Sequence, residues 1–386
     1  MDGMSDWRIS EVPVPDSLDE PEAWALHGCE RVSRASDRFV YGHDDTAFSA
    51  RYMLVKLREQ EYARRVRLVA TPADVVEPGA DDVVGMVSVT MPLKGNEHSA
   101  WFGVVVHPDH RAGDVGDALL EAAERVALAA GRTTLVVESE HGGEPAVGAD
   151  GVLEPPTGSG RILAADPAAH LAASHGYALE QAARYSVLDL PVDPDHLARL
   201  RAEAAERAGS DYRLVSWQSR TPDEWVDALA LLETRMSTDA PSGGLDMTED
   251  PWDAERVRTY ESDIVAAGHG YLLVAAEHVP SGELAAFTMV EWPLDEPEVV
   301  FQEDTLVLSE HRGRRLGMLV KADLLHRLRD VRPEARRVHT WNAEENAFML
   351  GINVALGFRP RGVAGEWQRK VAAATASLVE PEAASV

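Results

Sequence analysis

The chain has 386 residues, with 37 basic against 65 acidic side chains, a net charge of −28, one cysteine and 45% hydrophobic content. That length gives room for two or three domains with real cores. The charge argues against a nucleic-acid binder and against docking on anionic membrane, because both surfaces would repel it. A lone Cys29 cannot form an internal disulfide, which points to a reducing cytoplasm. Met1–Asp16 lacks a basic start followed by an apolar stretch, so no secretory signal is expected. No uninterrupted apolar run approaches the roughly 20 residues of a membrane span.

Short-period repeats are absent, yet one plan recurs at half the chain length. Glu22–Phe39 and Thr46–Tyr62 read as helices, then Arg65–Thr71 and Val83–Thr90 as strands. Trp101–Val106 is a buried-strand run. The segment from His107 through Arg111 to Gly116 leads from it into a helix with Val115, Leu119, Ala122 and Val126 at helical spacing. A strand over Thr133–Glu138, a loose Gly/Pro/Ala-rich insertion over Glu140–Ser159 and a small-residue helix ending at Gly176-Tyr177 follow. The helical Asp195–Ala208 links this copy to the next.

The second copy repeats the order with helices at Pro222–Met236 and Trp252–Ala267 and strands at Tyr271–Glu277 and Glu283–Glu291. Thr305–Leu308 runs through Ser309–Gly317 into a helix with Leu316, Val320, Leu324 and Leu328 on one stripe. Strand Arg337–Trp341, a helix ending at Gly357-Phe358 and a last strand complete it. The expected units are 1–190, a linker helix at 191–211, a second domain at 212–371, and an Ala-rich tail at 372–386.

The ordered series of strand, Arg312-Gly-Arg-Arg-Leu-Gly317, helix, Thr340-Trp-Asn-Ala, Asn346 and Leu356-Gly-Phe-Arg-Pro360 resembles the GNAT-type N-acetyltransferase superfamily. The tandem layout is similar to its two-domain actinobacterial members, of which mycothiol synthases are one kind. The resemblance covers nearly the whole chain, with its specific motifs between Glu303 and Pro360. It implies an α/β (α+β) fold of two GNAT-like domains, each a mixed, mainly antiparallel sheet flanked by helices. It also implies acetyl-CoA as cosubstrate and a small-molecule amine as acceptor, in a monomer or homodimer.

Physical chemistry points the same way. The first N–H groups of a helix lack intrahelical partners and carry the positive end of its dipole. A turn rich in glycine and arginine there makes an anion cradle. Glu310–Arg337 holds nine Lys/Arg against four Asp/Glu, a positive segment in an acidic chain. By the resemblance, the pyrophosphate lies at Arg312, Gly313, Arg314, Arg315, Leu316, Gly317 and Met318. The strand edge Leu306-Val307-Leu308 holds pantetheine and the acetyl carbonyl, where an amide N–H stabilises the developing oxyanion. Asn342 and Asn346 contact the pantetheine arm. There are two departures: Arg315 replaces a small residue, and Asn353 replaces the tyrosine that protonates the leaving thiolate, which an amide cannot do. Both count against close identity with mycothiol synthase.

An alkylammonium acceptor must lose a proton before it attacks. Asp304 is the first candidate base and Glu303 the second, with Glu291 ending the neighbouring strand; alternation sets Asp304 and Glu303 on opposite faces. Loop Ser237–Pro251, with Asp239 and Asp246 as candidate substrate contacts, suits a cationic amine. The first copy reads as a degenerate scaffold. It has Asp114 and Asp117 where a pyrophosphate would sit, keeps only Arg111, and has no counterpart of Asn342. His107 and His110 lack a third metal ligand. Rival readings are a coenzyme-binding pseudoenzyme with a sensor or interaction role, and a protein-lysine acetyltransferase with a shallow open groove.

Overall fold

The computed structural model describes residues 6–372; the proposed tail lies outside the described residues except for its first position. The first copy runs β1 (Trp7–Glu11), α1 (Trp24–Tyr41), α2 (Ala50–Arg58), β2 (Ala63–Pro72), β3 (Gly85–Pro92), β4 (Ser99–Val106), α3 (Val115–Ala129) and β5 (Thr134–His141). A small hairpin of β6 (Val152–Leu153) and β7 (Ile162–Leu163) occupies the insertion, before α4 (Pro167–Ser174) and β8 (Ala178–Asp189). After α5 (Pro194–Ala208) the plan repeats as β9 (Tyr212–Gln218), α6 (Val226–Asp239), α7 (Ala254–Ala266), β10 (His269–His278), β11 (Glu283–Pro293) and β12 (Val299–Val307). It ends with α8 (Leu316–Val331), β13 (Arg337–Ala343), α9 (Ala347–Leu356) and β14 (Arg359–Lys370). Helix α9 stops at Gly357, whose φ of 106° is left-handed and costs glycine little.

The two copies exchange their last strands. The sheet order is β1-β2-β3-β4-β5-β14-β8-β13-β12-β11-β10-β9. Strand β14 pairs antiparallel with β5 of the first copy, β8 pairs antiparallel with β13 of the second, and β8 and β14 pair with each other. The pairing carries the cores with it. Val363 and Trp367 of β14 pack among α3, β4 and β5, while Leu188 of β8 packs with α8 and β13. The unit expected at 1–190 therefore lends its final strand to the other half of the sheet. The linker is part of a core too: Leu197, Leu200 and Ala204 of α5 are buried against α8. An amphipathic helix buries its stripe wherever an apolar surface is in reach.

Helices α1 and α2 bury one apolar cluster, and α6 and α7 another. Separate clusters gather around α3, and around α5 with α8. Between the copies, the Arg337 guanidinium grips the Asp45 carboxylate at both oxygens, Arg34 meets Glu296 at 2.8 Å, and Arg51 donates to the Ala266 carbonyl at 2.8 Å. Among the described residues no helix is long and apolar enough to cross a membrane.

Candidate active site

In the second copy, β12 pairs in parallel with β13 only from Val299–Phe301 to Arg337–His339. Beyond that the strands part, so residues 302–307 of β12 are bonded on the β11 side alone. Opposite them β11 advances two residues, Thr288 to Val290, while β12 advances three, Gln302 to Thr305. The extra residue is a β-bulge at Glu303–Asp304, which re-aims side chains and breaks alternation. Val300 and Val307 pack towards α8, whereas Leu306 and Leu308 pack towards α6 and α7. Strict alternation had put Glu303 and Asp304 on opposite faces; the bulge turns both towards the α6/α7 face.

Glu303 opens onto a cavity of about 990 Å³ lined by both copies. Its walls on the second copy include Tyr260, Asp263, His269, Glu291, Phe301, Glu303 and Trp341; Asp37, Tyr52 and Lys56 face it from the first. Burial pushes the Glu303 carboxyl up to about 8, with Glu291 and Asp304 adding and Lys56 opposing. Burial raises Asp304 to about 6, and it raises Glu233 on α6 as well, with Asp304 the next cause. Glu291 is tied to His269 at 2.5 Å. A carboxyl at about 8 beside this chamber can take a proton from an ammonium at moderate cost.

The turn after β12 passes twice through left-handed backbone. Gly313 has a φ of 81° and Arg315, at the helix N-cap, a φ of 58°. A non-glycine residue there is strained by roughly 1 kcal/mol. No side chain caps α8, so the amides of Leu316, Gly317 and Met318 remain available for an anion. The arginines are engaged with the protein. Arg312 donates to the Val307 carbonyl at 3.2 Å and to Asp239 at 2.9 Å, Arg314 to the Glu310 carbonyl at 3.0 Å, and Arg315 reaches Glu203 at 3.4 Å. Arg312 thus braces the end of the splayed strand. Gly317 lies close under α9, where an added Cβ would sit 3.1 Å from Ile352. Leu306 and Leu308 bury their side chains and leave the backbone edge to the groove.

Asn342 accepts a 2.6 Å hydrogen bond from Asn353, which ties β13 to α9. Asn346 is the N-cap of α9, accepting from the Met349 amide at 3.2 Å. Asp239 and Asp246 do not line the cavity, contrary to the sequence expectation. Asp239 is taken by Arg312, and Asp246 lies 2.8 Å from Lys370. Their loop instead crosses to the first copy, where Thr248 and Asn96 bond reciprocally. The acidic wall comes from Glu291, Glu303 and Asp263, on strand ends and a helix, which only the fold brings together.

The first copy keeps its groove. Strands β4 and β5 pair over Ser99–Gly103 and Thr134–Glu138, then part, and the cavity continues past Val104–Val106, Ala112, Gly113, Glu138, Glu140 and α4. Arg111 repeats the brace, donating to the Val106 carbonyl at 3.4 Å and to Ser36 at 2.7 Å. Asp114 accepts from the Trp7 indole at 2.7 Å and Asp117 lies 2.9 Å from His175, so neither carboxylate is unopposed. There is no bulge: β4 pairs without interruption, and Gly103 stands opposite Ser88 where the second copy has Glu303–Asp304 opposite Met289.

Among the described residues, two further clusters have metal-ligand proximity: His43, Asp45 and His339, and His278, Glu283 and His311. In each the carboxylate already has a cation or imidazole partner, Arg337 on Asp45 and His311 on Glu283.

Residues 38–149 match the model of the acetyltransferase (GNAT) family. No curated protein sequence matches the chain. Among solved structures, a tandem GNAT protein from the clavulanic acid biosynthesis pathway superposes with a TM-score of 0.68 at 23% identity, over 94% of this chain and 98% of its own. A GCN5-related N-acetyltransferase from Sphaerobacter thermophilus gives a TM-score of 0.58 at 13% identity, over 95% of this chain and 96% of its own. The chain has the fold of a tandem GNAT protein, and its first copy carries the family match. Acyl transfer is the general activity of the family its first copy matches. Each copy sets parting strands beside a glycine-containing turn and a helix start that no side chain caps, so the chain has two such grooves.

Proposed function

We propose that this tandem GNAT protein is an acetyl-CoA-dependent N-acetyltransferase that passes the acetyl group directly to a small primary amine, with the chemistry in the second copy. The observation that carries this reading is the bulge at Glu303–Asp304, which presents a carboxyl held at about 8 to the chamber, where the first copy has only Gly103. Acetyl-CoA supplies the activated thioester. The free α8 amides and the turn 312–318 hold its pyrophosphate, and the edge Leu306–Leu308 orders its arm beside Asn342. Helix α9, capped by Asn346, closes the outer wall. The acceptor sits in the interdomain chamber, where Glu303 takes its proton and Asp304 and Glu291 tune that group. A chamber of about 990 Å³ walled by both copies favours a small amine over a protein lysine, which needs a shallow groove.

The open first groove favours a second reading, in which an acyl coenzyme also occupies the first copy. Calorimetry with acetyl-CoA separates the two. One site per chain, weakened by Arg315→Glu and indifferent to Ala112→Glu, supports binding in the second copy alone. Two sites, one weakened by each variant, support the second reading. Thiol release from acetyl-CoA with a panel of primary amines then tests catalysis: tight coenzyme binding with no release above the amine-free rate would make the protein a coenzyme-binding pseudoenzyme.

A further inference from the structure

Helix α8 buries a lysine in its apolar stripe. Lys321 is only 1% exposed, and among the described residues its ammonium has no oxygen hydrogen-bond partner; it lies 4.0 Å from the Met349 sulfur and 5.5 Å from the Phe358 ring centroid. Aligning Gly317 with Gly116 puts Lys321 on Leu120, itself fully buried in α3. The same fold therefore fills this place with leucine in one copy and with a cation in the other. Burying an unpaired ammonium opposes folding by several kcal/mol, so packing does not account for the choice.

A second unsatisfied group lies close by. Asn353 is 2% exposed and gives its amide hydrogen to Asn342, but its Oδ1 accepts nothing. Met349 and Asn353 are one turn apart on α9 and so share a face. Lys321, Met349, Asn353 and Asn342 thus link α8 across α9 to β13, the strand that parts from β12 after His339. A flexible, half-buried thioether resting on the ammonium marks a place where sulfur fits.

We propose that Lys321 is the proton donor to the coenzyme thiolate that leaves as the amide forms. This rests on the reading that the second copy carries the chemistry, and it supplies the group that Asn353 cannot be. When the tetrahedral adduct collapses, the carbon–sulfur bond breaks and its electron pair goes to sulfur. One ammonium proton of Lys321 moves to that sulfur, leaving free thiol and a neutral amine, which takes a proton back from water. Glu303, having passed the proton it took from the acceptor ammonium on to water, takes the surplus proton of the nitrogen in the adduct. Burial alone lowers the Lys321 ammonium to about 7, so it gives up its proton readily near neutrality. Charged groups on the surrounding elements face elsewhere. Asp323 of α8 pairs with Arg201 of α5 and with Arg327, Glu277 of β10 pairs with Arg213, Glu291 of β11 pairs with His269, and Glu303 and Asp304 lie on the far face of the sheet.

The test uses Lys321→Met, which keeps the length, and Lys321→Leu, the residue of the first copy, as a second variant that the fold already accommodates. Free coenzyme A bound to the wild-type protein should show the thiolate ultraviolet band near neutral pH, because the ammonium stabilises the anion; both variants should lose it. Thiol release should fall about 100-fold. The decline in rate at alkaline pH, where the wild-type ammonium is lost, should vanish, while acetyl-CoA affinity stays close to wild type. An unchanged thiolate band and pH profile in the variants would make Lys321 a structural residue and overturn the proposal. If Arg315→Glu leaves coenzyme binding untouched, the assignment of chemistry to the second copy fails first, and this proposal fails with it.

Discussion

Replacing Glu303 by glutamine keeps the side chain's size and removes its ability to take a proton. The carboxyl is held at about 8, by burial first and then by Glu291 and Asp304. A base works only when deprotonated, so in Lys321→Met, where no second ionisation intervenes, turnover should rise about tenfold per pH unit below that value and flatten above it. In the wild type the loss of the Lys321 proton bends the curve down again at alkaline pH, and at pH 7 roughly a tenth of the Glu303 carboxyls are ionised. General-base catalysis contributes about 10²–10⁴, so turnover of Glu303→Gln at the wild-type pH optimum should drop by at least about 100-fold, with acetyl-CoA affinity little changed. Stability should move the opposite way. The folded value lies above that of the unfolded chain, so the native state holds the proton more tightly and loses stability as pH rises from about 4 to 8. The variant escapes that loss: its melting temperature should exceed wild type above pH 8 and match it near pH 4. Asp304→Asn removes one like charge, so it should shift the ionisation to lower pH and spare most of the turnover. Thiol-release profiles and calorimetric melting of the three proteins decide the matter. Wild-type turnover and an unchanged rise near pH 8 in Glu303→Gln would refute the assignment.

Glu291→Gln should move the rise in turnover to lower pH and Lys56→Met to higher pH, each by on the order of one unit, because the first removes a like charge and the second the opposing cation; parallel pH–rate curves would check both. Asp45→Asn should destabilise the fold by about 2 kcal/mol at neutral pH, since it strips Arg337 of its carboxylate and His339 of a neighbour 3.2 Å away. Although burial opposes it, hydrogen bonds from His339 and Arg337 hold Asp45 well below the usual carboxylate range. Its contribution is therefore present above about pH 4 and lost in stronger acid, and chemical denaturation at several pH values should show the gap closing there. Fragments 1–190 and 191–386 expressed apart should each fail to give a cooperative melt and should recover one when mixed, because β5 and β13 would each lose their antiparallel partner.

Much of the fold was legible because helices and strands announce themselves locally. The stripe Leu316, Val320, Leu324, Leu328 falls inside α8, and Asp195–Ala208 coincides with α5 to within a residue. Strand exchange was not legible. Strands β8 and β14 are both largely buried and both follow a glycine-terminated helix, and nothing in either one's pattern names the edge it joins. That choice is made by how two near-equivalent sheets meet, which is a property of the pair and not of either segment. Domain limits drawn from sequence order therefore part what the hydrogen bonding joins.

The candidate site divides along the same physical line. Backbone features such as the turn at 312–318 and the free strand edge depend on local geometry, so the order of residues revealed them. Side-chain roles depend on which partners the fold brings up, and those come from far along the chain. Asp239 and Asp246 were free carboxylates on paper, but Arg312 and Lys370 reach them across 73 and 124 residues. Glu303 and Asp304 looked like an alternating pair because no glycine marks the bulge that turns them together. Lys321 was counted with the arginines as part of a positive surface. Its signal was present all the same: it falls four residues after Gly317 and three before Leu324, inside the stripe that must be buried. A lysine there is a conflict between local pattern and burial, and such conflicts concentrate where chemistry, not packing, chooses the residue.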